Sequence, residues 1–262
     1  MELIFILFLN NAFERYSASA QAVALGHAVT ASAIGNDAIR FNPAALAEIN
    51  KNELMCGYEY VLSGIEGLHN INIGYARPIF NGGIGLQLSE FGFSEQKEQA
   101  ITIAYGNPLS NELRFGIGAD FYLINNQRTG HGFAYGLNIA FLGRLYKKWS
   151  LGVYGHNLNR PQFGSREEGE LPYELRAGLG YEPFDGILSE VDFSLIEDYF
   201  RIHMAGQFRL FNMLFFRTGV KTNPQVLSFG TGIVYKFIKI DYAVEYIPEL
   251  PLTHNMTIKM DF

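Results

Sequence analysis

The stretch Leu252-Thr253-His254-Asn255-Met256-Thr257-Ile258-Lys259-Met260-Asp261-Phe262 decides how the rest of the chain is read. Met256, Ile258, Met260 and Phe262 share one parity; Asn255, Thr257, Lys259 and Asp261 share the other. Successive residues of a strand point to opposite faces, so this period of two makes one apolar face and one polar face. Taken alone, an edge strand of a soluble sheet satisfies the pattern as well as a barrel strand does. The upstream residues make the choice.

Working back from Leu252, the same alternation runs almost unbroken to Lys51. One parity carries Leu54, Cys56, Tyr58 and Tyr60, then Ile71, Ile73 and Tyr75, then Ile84, Leu86 and Leu88. It continues through Phe115, Ile117 and Phe121, through Phe133, Tyr135, Leu137 and Ile139, and through Leu175, Leu179, Phe193, Met204, Phe229 and Ile240. Turn residues divide the run into roughly fourteen strands, an even number, as in single-chain bacterial barrels. The opposite parity is mostly Gly and charge: Gly116, Gly118, Asp120, Glu174, Arg176, Glu190, Asp192, Arg201, His203, Arg209, Asp241 and Glu245.

A soluble sandwich would bury the apolar parity, whereas a transmembrane barrel would turn it outward to lipid. Two features favour the barrel. Aromatics gather at strand ends (Tyr58, Tyr105, Trp149, Tyr181, Tyr235, Tyr246), as in interfacial girdles. The connections also alternate in length, with short turns such as Asn81-Gly82 and Phe211-Asn212 against longer loops at Asn125–Gly132 and Asn157–Pro172. The expected fold is all-β, a transmembrane antiparallel β-barrel of about 14 strands over residues 51–262.

Composition agrees with a membrane barrel. Of 262 residues, 48% are hydrophobic, 15% aromatic and only 18% charged, yet no run approaches the ~20 apolar residues of a spanning helix. A formal charge of -6 excludes a general nucleic-acid binder, which would be basic. The one cysteine, Cys56, allows no intrachain disulfide and reads as a small packing residue.

The beginning of the chain differs from the rest. Ile4–Leu9 is apolar but short, and Glu2 stands where a signal peptide carries Lys or Arg. Ala18-Ser19-Ala20 offers a cleavage site; the preferred reading is a truncated start, residues 1–11, with mature sequence from about Ala12. Residues 12–50 are Ala-rich and lack alternation. Gln21–Gly26 and Ala44–Ile49 suit short helices, Asn36-Asp37 a turn, and Pro43 a first helical position. They are expected to form a partly helical hatch, or plug, ahead of the sheet.

Ser19–Ala28, Asn36-Asp37-Ala38 and Phe41-Asn42-Pro43-Ala44-Ala45-Leu46 resemble the amino-terminal signature of the FadL-like and PorV/PorQ-like outer-membrane proteins. There an Ala/Gly-rich segment leads through an Asn-Pro-Ala-(Gly)-Leu motif into the first strand. Asn42, Pro43, Ala44 and Leu46 match that motif; Ala45 replaces the usual Gly. The resemblance covers ~35 residues by motif and the remainder by architecture. It implies the bacterial outer membrane, surrounding lipid, and either passage of a hydrophobic small molecule or docking of a secretion-system protein. A plugged structural barrel is a third reading. The last strand also looks like the closing strand of an outer-membrane barrel, which implies Phe262 as part of the signal read by the barrel assembly machinery.

No catalytic constellation is found. Glu190 and Asp192 form a same-face carboxylate pair that could serve acid/base chemistry, but lumen charges paired with Arg176, Arg201 or Arg209 explain them more simply. His203 has no serine partner with an orienting acid. There is no G-x-S-x-G, phosphate loop or H-E-x-x-H, and the six His are scattered. Glu167-Glu168-Gly169-Glu170 reads as a solvated loop, with a cation contact as the alternative. The expectation is therefore a protein that is not an enzyme, with no cofactor and no metal, whose lumen charges are Glu174, Arg176, Glu190, Asp192, Arg201, His203 and Arg209.

Overall fold

The computed structural model describes residues 13, 18–63, 67–93, 95–127, 130–146, 148–164 and 169–262. The run Ile4–Leu9, the start at Ala12 and the pair Glu167-Glu168 lie outside them. Among the described residues, no helix is long and apolar enough to cross a membrane.

The wall begins with β1 (Glu53–Tyr60), β2 (His69–Ile79), β3 (Gly82–Phe93), β4 (Gln96–Pro108) and β5 (Leu113–Asn126). It continues with β6 (Gly130–Leu145), β7 (Trp149–His156), β8 (Glu174–Phe184), β9 (Ile187–Ile196) and β10 (Tyr199–Leu210). β11 (Leu214–Lys221), β12 (Val226–Tyr235), β13 (Ile238–Tyr246) and β14 (Thr253–Asp261) complete it. Each strand pairs antiparallel with the next, and β14 returns to β1 from Glu53↔Asp261 to Tyr60↔His254. Closure removes the free edges that so long a sheet would otherwise expose.

The two faces of the wall follow the parity of the sequence. Ile117, Leu137, Ile139, Leu175, Met204 and Phe229 are exposed on the outside; Gly116, Asp120, Asn138, Arg176 and His203 are buried inside. An apolar belt that runs round a closed barrel is a lipid-facing surface, since water around it would meet an apolar patch far larger than soluble proteins carry. Cys56 belongs to this outer face and is exposed there, rather than packed. An arginine at Ile117 or Ile139 is expected to cost about 2–4 kcal/mol, while arginine at Gly118 or Asn138 acts through crowding and lumen charge. Unfolding in lipid vesicles measures both; equal costs on the two parities would refute the facing.

One end of the barrel carries short turns and the other carries the longer loops. Strands of 13, 14 and 16 residues at β4, β5 and β6 exceed the ~9–11 that cross a bilayer. The excess stands beyond the belt at the loop end, where Lys97, Gln99, Asn125 and His131 are exposed. Asn125-Asn126 and Gly130–Gly132 thus continue strands β5 and β6, paired as far as Asn126↔Gly130, where the sequence suggested a long loop. The apolar-out pattern stops there because the lipid stops.

The plug fills the lumen. It comprises α1 (Ala20–Ala24), α2 (Asn36–Phe41) and a 3-10 helix at Pro43–Glu48. The Ser19 hydroxyl accepts the Ala22 N–H at 3.2 Å to cap α1, and the Asn42 side chain accepts the Ala44 N–H at 3.1 Å ahead of Pro43. Asn36-Asp37, expected as a turn, opens α2 instead. Gly35 with φ 56 supplies the reversal just before it, and burial of Ala38, Ile39 and Phe41 holds the helix. The main hydrophobic core lies between plug and wall, with Val23, Leu25, Ile39 and Leu46 against Ala76, Ala104, Ala140, Leu142 and Ala243. Small wall residues permit the contact: a Cβ on Gly116 would meet the backbone of Ala44, and one on Gly219 the backbone of Gly26.

Candidate functional site

Two features of the interior bear on function, namely the ties that hold the plug and, above it at the loop end, an apolar cluster packed with side chains, called the chamber below. The ties reach nearly every part of the wall. From β14, Thr257 Oγ1 accepts the Ala20 N–H at 2.8 Å, and Lys259 Nζ meets Asp37 Oδ2 at 2.6 Å. From β1, Glu53 Oε1 accepts the Asn36 N–H at 2.6 Å. From β5, Asp120 Oδ1 takes Arg40 Nη1 at 3.1 Å, while its other oxygen takes Asn138 Nδ2 at 2.6 Å and lies 3.2 Å from His156 Nε2. Each of these groups is buried or nearly so, and a buried charge without partners is costly; here each meets an opposite charge or a polar donor.

The lumen charges named from the sequence separate into three groups. Glu190 and Asp192 face the plug: Asp192 Oδ2 accepts the Thr30 N–H at 3.1 Å and the Thr30 hydroxyl at 2.6 Å, and Glu190 Oε1 accepts the Ala31 N–H at 2.6 Å. Plug backbone adds to the expected charge partners, of which Arg176 acts on Asp192, because a coil crossing the lumen brings unpaired N–H groups that two carboxylates satisfy. Arg176 ion-pairs with Glu174 at 2.7 Å and donates to the His27 carbonyl at 3.0 Å; His203 Nδ1 meets the Gly26 carbonyl at 2.8 Å. Arg201 and Arg209 sit at opposite rims, the first on the Asn223 carbonyl and the second on Asp185 of a turn.

Burial also keeps the His27 imidazole below its ordinary pKa, so the neutral ring hydrogen-bonds Glu245 Oε1 at 3.3 Å. Of the motif residues, Asn42 does the most. Besides capping the 3-10 helix, its Nδ2 donates to the carbonyls of Thr30, at 2.7 Å, and Phe141, at 3.2 Å, and so joins the two halves of the plug to β6. Pro43 and Ala44 lie against Gly106 and Gly116, and Leu46 against Gly83 and Gly85.

The chamber was not named from the sequence. Ala100, Tyr122, Ala134 and Leu171 are buried in one cluster, with Phe163 of the long loop and Phe13 packed against it. The Tyr122 hydroxyl donates to Asn157 Oδ1 at 2.9 Å. Phe163 and Leu171 come from the loop between β7 and β8, which folds back through the Gln162↔Glu170 bridge and the Leu171 N–H on the Pro161 carbonyl. Nothing in the spacing of these residues marks them as neighbours; only the fold joins the loop to β4, β5 and β6. At the turn end, a cavity of about 210 Å³ has a mixed lining, with Glu48, Lys51, Glu53, Lys239 and Asp261 beside Ile34, Ala45 and Ile49. Among the described residues, no group of three His, Cys, Asp or Glu side chains is placed to hold a metal.

No family model and no curated protein matches this chain. Solved structures do. The toluene transporter TodX of Pseudomonas putida aligns with a TM-score of 0.72 at 13% identity, covering 96% of this chain and 99% of that one. A FadL homologue of Pseudomonas aeruginosa aligns at 0.70 with 10% identity, covering 95% and 99%. The monoaromatic hydrocarbon channel CymD aligns at 0.68 with 14% identity, covering 96% and 99%. At these identities the likeness is one of fold, extending over nearly the whole of each chain.

Proposed function

We propose that this protein is a FadL-type channel of the bacterial outer membrane. It admits a small hydrophobic molecule at the loop end, which is extracellular, and the plug controls onward passage to the periplasm. The observation that carries the proposal is the chamber of Ala100, Tyr122, Ala134, Phe163 and Leu171, an apolar side-chain cluster inside the barrel, on the loop side of the plug. Pockets that take apolar ligands combine such a lining with a few placed polar groups. Uptake of toluene by cells carrying the protein, compared with cells that lack it, tests the reading. Ala134→Trp, which fills the chamber, should reduce uptake to the background level. Uptake that ignores both the protein and the substitution would end the proposal.

The protein binds and conducts; it does no covalent chemistry. Its partners during assembly are outer-membrane lipid and the barrel assembly machinery, with Phe262 as the residue that machinery reads. The backbone of Phe262 pairs with Asn52 in both directions, at 2.9 and 3.0 Å, while its side chain is 64% exposed. Phe262→Asp therefore removes little folding energy, yet is expected to lower the amount of barrel in the outer membrane several-fold. Fractionation and heat-modifiable gel migration read the result; unchanged levels would remove Phe262 from the assembly signal.

A further inference from the structure

The chamber is occupied by the protein itself. The ring of Phe13 stands 4.8 Å from that of Tyr122 at 63°, an edge-on contact, and 5.8 Å from that of Phe163. Its backbone N–H donates to Glu98 Oε2 at 2.8 Å. Glu98 is a buried carboxyl group on the margin of an apolar pocket, and its other oxygen accepts Gln96 Nε2 at 3.0 Å. The atoms of Phe13 from nitrogen through Cα and Cβ to the ring are the skeleton of 2-phenylethylamine. The occupant thus displays what the chamber accepts, an aromatic ring and, two carbons away, a nitrogen that donates a hydrogen bond.

We infer that the ligand of this chamber is a small aromatic amine of the arylethylamine type, with its ring between Tyr122 and Phe163 and its ammonium group on Glu98, in the place now held by Phe13. The inference rests on the reading of the chamber as the ligand site and narrows its substrate class. The physical reason is the carboxyl group. A molecule that displaces Phe13 must also replace the donor to Glu98, because a buried acceptor left without one is penalised. A pure hydrocarbon offers no donor, whereas an ammonium forms a charge-assisted bond. Sites built round a buried polar group discriminate strongly against analogues that lack the matching group.

The test is calorimetric titration of the purified full-length protein with 2-phenylethylamine and with ethylbenzene, which shares the skeleton but lacks nitrogen. In the Phe13→Ala protein the ring of the self-occupant is gone and only its backbone N–H is left for an ammonium to displace, so 2-phenylethylamine should bind about tenfold or more tighter than to the unaltered protein. There it should also outbind ethylbenzene. Glu98→Gln in that background should weaken the amine by about tenfold or more while leaving ethylbenzene unchanged. The comparison of the two probes in Phe13→Ala stands even if the Glu98 variant fails to fold. Equal affinities, or an amine affinity indifferent to Phe13→Ala, would overturn the inference. Binding of ethylbenzene alone would overturn it and leave a hydrocarbon channel standing; binding of neither probe would bring down the proposed function as well.

Discussion

Deletion of residues Phe13 to Ala38 converts the closed barrel into an open pore: that is the expected result, and the largest functional effect the structure implies. The deletion removes α1, the Thr30 and Ala31 contacts and the first turn of α2, and with them the ties to β8, β9, β10 and β14. What remains, from Ile39 to Asn50, stays packed along β3 to β6 through Leu46 and the Arg114 and Arg144 contacts of Glu48. A fourteen-stranded barrel encloses more space than inward Gly and short side chains can fill, so water enters the vacated half. The wall survives because Asp192, Glu190 and Lys259 become hydrated and are not left dry and unpaired. Planar-bilayer conductance and the sensitivity of cells to small hydrophilic antibiotics measure the change. A deletion protein that folds and yet conducts no better than the intact one would show that the segment does not close the lumen.

The largest effect on stability is expected from Lys259→Met. Lys259 and Asp37 are 2% and 5% exposed, and the substitution leaves the Asp37 carboxylate dry and without its cation. Loss of one member of such a buried pair costs about 3–5 kcal/mol. Lys239→Met is the comparison: Lys239 is 25% exposed, its nearer partner Asp261 is 21% exposed, and its buried second partner Glu53, at 3.4 Å, keeps the Asn36 donors, so the loss should be about 1 kcal/mol. Denaturant unfolding in lipid vesicles compares the two. Asp37→Asn added to Lys259→Met should restore most of the loss, since interacting sites are non-additive. Similar costs at Lys259 and Lys239 would mean that the pair near the plug is wetter than its burial indicates.

Strand parity was legible because lipid and lumen impose opposite demands on alternate residues, and Leu54 to Phe262 obey them. The legibility ended where those demands end. Asn125 and His131 face outward but stand above the lipid, so polar residues read as a loop while the ladder in fact continues. In the plug, Asn36-Asp37 has turn chemistry locally, yet the Glu53 carboxylate receives the Asn36 N–H and lets a helix start there. Glu190 and Asp192 were recognised as inward charges, but alternation describes the wall and is silent about what crosses the lumen. Their hydrogen-bond donors in the plug, Thr30 and Ala31, lie about 160 residues away in the chain. The chamber was hidden for the same reason: Phe13, Glu98, Tyr122 and Phe163 share no spacing, only a place.

The strand that seals the wall is also the strand that grips the plug. Thr257 and Lys259 belong to β14, and they hold Ala20 and Asp37 from 237 and 222 residues earlier. During synthesis the plug emerges before any strand, and β14 after every other. When β14 zips onto β1, its inward side chains meet either a seated plug or an empty lumen, and only the first offers Lys259 the Asp37 carboxylate. Closure therefore doubles as an inspection of an early part of the chain by a late one. A barrel that fails it should linger half-closed, with its seam open to periplasmic proteases. Mistakes in plug placement would thus show themselves as degraded protein before they could show themselves as leaks in the membrane.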